Sequence, residues 1–86
     1  MANELLIKVA IADDHKIFRD GIKMALSGKE NLKMIWEAED GKDMMHKIAI
    51  KKPDVLLMDI RMPEIDGING IQLIRKEYED IKIIVL

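Results

Sequence analysis

The chain has 86 residues, 49% hydrophobic and 35% charged, with a formal net charge of −2. That length holds one small domain with a modest core, the composition excludes wholesale disorder, and the slight acidity gives no overall basic footprint for nucleic acid. The lack of cysteine excludes disulfides and thiolate metal sites and fits a reducing compartment.

The opening "MANELLIKVAIADDHK" has a short apolar run without a basic n-region or a small-residue cleavage site, so it reads as a strand and not a signal peptide. Nothing approaches the roughly 20 apolar residues of a membrane span, and the expected location is cytoplasmic. "LIKVAIA" (6–12) predicts strand one. Ile17, Phe18, Ile22, Ala25 and Leu26 recur at helical spacing, and Gly28 stands where that helix would stop. "LKMIWEAE" (32–39) predicts strand two. Met44, Met45, Ile48 and Ala49 form a second helical stripe that ends before Pro53. "VLLM" (55–58), apolar without alternation, predicts a third strand buried on both faces. Ile68, Ile71, Ile74 and Tyr78 mark a third helix, with Gly70 a weak point inside it, and "IKIIVL" (81–86) closes as strand four. The order βαβαβαβ predicts an α/β fold, a parallel sheet with right-handed crossovers and helices on its faces.

In open parallel sheets ligands sit beyond the carboxyl ends of the strands. Strand one ends in Asp13-Asp14 and strand three in Asp59, so three carboxylates would share one rim. Such a cluster repels itself, and a hard divalent cation such as magnesium, which takes oxygen ligands and keeps several waters, removes the conflict. Carboxylates also act as nucleophiles toward phosphorus, so the constellation suits metal-assisted phosphoryl transfer to aspartate. Aspartates after strands serve equally as helix caps and turn formers, and the carboxylates alone leave both readings open. Asp59, however, is followed by Ile60-Arg61-Met62-Pro63 and a turn, where a cap would directly precede a helix.

"ADDHKIFRDGIK" and "DVLLMDIRMPEIDGINGIQLIR" resemble the receiver domains of two-component response regulators, the first stretch resembling the NarL/FixJ type, and the match runs in register along essentially the whole chain. The resemblance implies a flavodoxin-like (CheY-like) three-layer parallel sheet with strand order 2-1-3-4 and a phosphoacceptor role for Asp59, supplied by a sensor histidine kinase. It implies magnesium held by Asp14 directly, by Asp13 chiefly through water, by one oxygen of Asp59 and by the backbone carbonyl of Arg61. Met62-Pro63 and Asp66-Gly67 would shape the loop into helix three. The expected module is a substrate and switch more than a turnover enzyme.

Receivers similar to this one also carry a Ser or Thr at the end of strand four and a Lys at the end of strand five. The chain stops at Leu86, so residues 1–86 read as a partial receiver, truncated after strand four and without the DNA-binding output domain common in this family. An apolar edge strand at 81–86 would pair with another chain, and the face of strands one and three that helix one covers would be half uncovered, a patch that favours association. A homo-oligomer, a dimer with or without exchanged elements, is therefore expected. The alternative function is a switching-incompetent fragment that self-associates through that strand.

His15 reads as a first-turn helix residue, because imidazole suits magnesium less well than oxygen. His46 has no assigned role, and Arg19 in "IFRDG" matches the NarL/FixJ pattern with no chemistry assigned to it. Met44, Met45 and Met58 read as core filler, and Lys51-Lys52 and "RKEYEDIK" as solvated helix ends. A haloacid-dehalogenase-type phosphatase would want a second acid at position 61, which is Arg. A flavodoxin-type cofactor binder would want a Ser/Thr/Gly-rich loop after strand one, where "DDHKIF" repels phosphate.

Overall fold

Four short apolar runs become four parallel strands: β1 (Ile7–Ala12), β2 (Leu32–Ala38), β3 (Val55–Met58) and β4 (Lys82–Val85). The computed structural model describes residues 6–61 and 67–86, the side chains of 67–69 excepted. Among the described residues three helices connect the strands, α1 (Lys16–Leu26), α2 (Gly41–Ile50) and α3 (Gly67–Glu77). The sheet order is β2-β1-β3-β4, as expected. The chain leaves β1 for β2 on one side and later returns to β3 on the other. That reversal opens a crevice beyond the carboxyl ends of β1 and β3. Between β1 and β2 the register slips: Val9 pairs with Met34 but Ala10 with Trp36, leaving Ile35 as a bulge residue.

One face of the sheet carries the main core. Ala10, Ala12, Ala38, Leu56 and Met58 cluster there with Met44 and Ile48 of α2 and Ile74 of α3. Met44 and Met58 are fully buried and Met45 packs against the cluster, as core filler should. Gly70 is buried, so the weak point in α3 lies where the helix meets its neighbours.

The other face is covered unequally, which corrects two expectations. β3 alternates, with Leu56 and Met58 buried and Val55 and Leu57 half-buried, so it is not buried equally on both faces. The physical reason is the seat of α1, which packs against β2 and leaves the β3–β4 side of that face open, with Ile84 exposed. The stripe of α1 is also rotated from its expected place. Ile17 is 88% exposed and Phe18 44%, while Arg19 is buried and Ile22, Lys23 and Leu26, at helical spacing from it, are half-buried.

Helix ends follow ordinary capping. Ser27 closes α1, its N–H reaching the Lys23 and Met24 carbonyls, and Gly28 takes φ +85, a left-handed conformation that suits glycine at a helix end. Asp40 caps α2 by accepting from the Asp43 N–H at 2.7 Å. Lys51, Lys52 and the charged residues around Tyr78 are exposed. Met62, Pro63 and Asp66 lie outside the described residues, and Gly67 begins α3. At the edge, Ile84, Val85 and Leu86 are exposed, while Ile83 packs against the core. No helix among the described residues is long and apolar enough to cross a membrane.

Candidate functional site

β1 and β3 end side by side, with Ala12 paired to Met58, so the residues that follow emerge together. The ladder runs one step further: the Asp13 N–H donates to the Ala38 carbonyl at 3.0 Å, and the Asp59 N–H to the Ala12 carbonyl at 2.9 Å. Each aspartate therefore leaves from backbone still fixed by the sheet. Asp13 is 3% exposed, the Asp14 side chain about a third exposed, and Asp59 half-buried. One ligand atom from each of Asp13, Asp14, His15 and Asp59 can be chosen so that all lie within 4.8 Å of one another.

Two of the carboxylates also serve as local turn acceptors. The His15 N–H donates to Asp13 Oδ1 at 2.8 Å, and the Arg61 N–H donates to Asp59 Oδ1 at 3.0 Å. The turn-forming use and the clustering therefore coexist. A carboxylate has about four lone-pair directions, so these bonds leave each group with directions free to receive a cation or attack an electrophile. These bonds also meet part of the cost of burying Asp13.

His15 differs from its expected place. It is the N-cap of α1, in extended backbone at φ −108, ψ 105, and not a first-turn residue. That conformation turns its ring back over the acids, with Nδ1 3.1 Å from Asp13 Oδ1 and 3.0 Å from Asp14 Oδ1.

Arg19 was given no chemistry by its sequence context, yet it touches the acid pair. Its Nη1 donates to the Asp13 carbonyl at 2.6 Å and its Nε to Glu37 Oε1 at 2.8 Å. Lys23 grips the other Glu37 oxygen, and Lys47 donates to the Glu37 carbonyl at 2.6 Å. The signal in the sequence was the lone acid of "LKMIWEA", a charge in a strand otherwise suited to burial that demands a cationic partner. The Lys23 ammonium first, and the Arg19 guanidinium second, hold the Glu37 carboxyl below its ordinary value, while Glu37 holds Lys23 above its own.

A carboxyl whose pKa falls on folding stabilises the native state once pH exceeds its unfolded value of about 4.3. That stabilisation disappears as pH drops through the lower folded value. With the carboxylate 32% exposed, Glu37→Gln is expected to cost about 1–2 kcal/mol at neutral pH. Urea unfolding should show the gap between the two proteins closing as pH is taken below about 4.

A family model for the response regulator receiver domain matches residues 9–86. The chain belongs to that family. Receiver relatives of the NarL/FixJ type that the sequence resembles include the transcriptional regulatory protein DegU of Brevibacillus brevis. It is 36% identical over 84 residues, which are 98% of this chain and 36% of the relative. The response regulator protein VraR of Staphylococcus epidermidis is 38% identical over 82 residues, 95% of this chain and 39% of the relative. Among solved receivers, RcsB of Salmonella typhimurium superposes with a TM-score of 0.90 at 32% identity, over 95% of this chain and 42% of that one. The isolated REC domain of RcsB from Salmonella enterica serovar Typhimurium, solved in the presence of the phosphomimetic BeF3−, gives 0.89 at 32% identity, over 93% of this chain and 60% of that one. The chain thus spans 36–39% of the length of these curated relatives.

The receiver acids satisfy the demands of a hard cation. Three carboxylates converge, one of them buried, and oxygen is the donor that magnesium prefers.

Proposed function

We propose that this receiver is the phosphoacceptor of a two-component phosphorelay, taking a phosphoryl group from a sensor histidine kinase onto Asp59. The observation that carries this reading is the convergence of Asp13, Asp14 and Asp59 within 4.8 Å at the ends of β1 and β3. Asp13, Asp14, one oxygen of Asp59 and the Arg61 carbonyl would hold magnesium. The bound ion supplies charge neutralisation, letting an anionic phosphoryl group approach an anionic site.

The chain's own residues do the rest by position. Asp59 is the nucleophile: a carboxylate oxygen bonds to phosphorus while the phosphorus–nitrogen bond of the donor phosphohistidine breaks, its electron pair leaving with the imidazole. Oδ1 of Asp59 is restrained by the Arg61 N–H, which orients the carboxylate and leaves its second oxygen available. The sheet bond from the Asp59 N–H to Ala12 fixes the base of the side chain, so little orientation is lost in reaching the attacking geometry. The RcsB receiver solved with phosphomimetic BeF3− supports the same chemistry for a fold this similar.

The test is intact mass after incubation with a small-molecule phosphodonor. With magnesium, a single phosphoryl adduct is expected; with EDTA in place of magnesium, none. No adduct with magnesium, in a sample shown to be folded, would overturn the reading.

A further inference from the structure

Asp13 is gripped at both ends of its backbone. Its N–H is bound by the sheet, donating to Ala38 at 3.0 Å. Its carbonyl is bound by α1, accepting from Arg19 Nη1 at 2.6 Å. That carbonyl belongs to the peptide joining Asp13 to Asp14, so the group Arg19 holds is the one carrying both acids. We propose that Arg19 is a positioning residue for the metal site, setting the Asp13–Asp14 peptide through this hydrogen bond, with Glu37 as its charge partner. The inference rests on reading Asp13, Asp14 and Asp59 as that site.

The chemistry explains why arginine serves here. Two nitrogens of one planar group reach acceptors on two different elements, the end of β1 and the body of β2, whereas a lysine is a single point donor. A buried cation beside a cation site would by itself oppose metal binding, and Glu37 offsets that charge at 2.8 Å. Lys23 in turn holds Glu37, so the side chain that orients Arg19 is itself oriented. Groups that orient metal ligands from behind typically matter ten- to a hundredfold in metal affinity.

Positioning and plain electrostatics predict opposite signs. If Arg19 acted on the metal only through its charge, removing it would tighten cation binding. If it acts through the Asp13 carbonyl, removing it loosens binding. The experiment uses the 86-residue chain with Mn2+ as an EPR-visible probe, and compares the parent with Arg19→Met and with the double variant Arg19→Met/Glu37→Met. The double variant removes both charges together, which avoids a buried unpaired ion, and it decides the question if the single variant does not fold. About tenfold weaker Mn2+ binding is expected, with cooperative melting retained in EDTA. The carbonyl 13C resonance of Asp13, followed in EDTA, is expected to move as its donor is lost.

Unchanged or tighter Mn2+ binding by the folded variants overturns the proposal, as does an unmoved Asp13 carbonyl resonance. A parent that binds no Mn2+ overturns the metal reading itself and this inference with it. A parent that binds while the variants bind equally well overturns this inference alone.

Discussion

Asp59→Asn is expected to abolish the phosphoryl adduct completely while leaving the fold intact. The asparagine amide keeps an oxygen where Asp59 Oδ1 accepts from the Arg61 N–H at 3.0 Å, so the turn after β3 retains its bond. The backbone link to Ala12 does not involve the side chain at all. What vanishes is the proposed nucleophile, because a neutral amide does not form an acyl phosphate. The same change removes one of three negative charges crowded within 4.8 Å. In EDTA, with no cation to offset the crowding, the variant is expected to be slightly more stable than the parent, by about 0.5–1 kcal/mol. Intact mass reads the first effect and thermal melting in chelator the second. An adduct on the variant would place the acceptor elsewhere. A large loss of stability would mean that the carboxylate charge contributes more to the fold than its one accepted bond implies.

The second large effect comes from adjacent leucines. Leu56→Ala is expected to cost about 3–4 kcal/mol, and Leu57→Ala about 1–2 kcal/mol. Leu56 is fully buried, in the middle of the cluster that Met44, Ile48 and Ile74 complete from the helices, so its removal leaves a cavity that the surrounding side chains cannot readily close. Leu57 points to the opposite face, where α1 has settled over β2, and it is half-buried. Its removal forfeits transfer free energy but opens no closed void. A domain of this size has a total stability of about 4–13 kcal/mol, so the first substitution takes a large share and the second a small one. Urea unfolding of both variants measures the difference. Equal losses would show that the two faces are covered alike.

Much of this architecture was legible in the residues. The strands are apolar runs bounded by turn-forming and charged residues, and "VLLM" coincides with β3 residue for residue. The alternation of helical and strand periods dictates parallel pairing, and parallel pairing places Asp13, Asp14 and Asp59 on one rim. What was not legible depended on how layers settle against one another. The half-exposure of Leu57 agrees with the half-uncovered face expected of strands one and three, whereas the seat of α1 over β2 is a tertiary choice that leaves no mark on the four letters of the strand. The rotation of α1 was hidden because arginine looks like a surface residue. Its long apolar stem lets it lie along a packed face, and Glu37, distant in sequence, makes the burial tolerable. The ring of His15 meets the acids because the chain is still extended where α1 begins, a local dihedral that periodicity does not report.

The single extra residue in β2 has a consequence for how the two faces differ in chemistry. Beyond the slip, Trp36 stands beside Ala10 and Glu37 beside Ile11. Neighbours across parallel strands share a face, so the indole joins the apolar cluster and the carboxylate meets Arg19. Had the register continued unbroken from Val9 and Met34, Trp36 would stand beside Ile11 and Glu37 beside Ala12, and every side chain in that half of the strand would change sides. A charge would enter the apolar interior, and Arg19 would lose its counterion. The irregularity at Ile35 thus acts as a polarity sorter, deciding which side of the sheet is greasy and which can hold an ion pair.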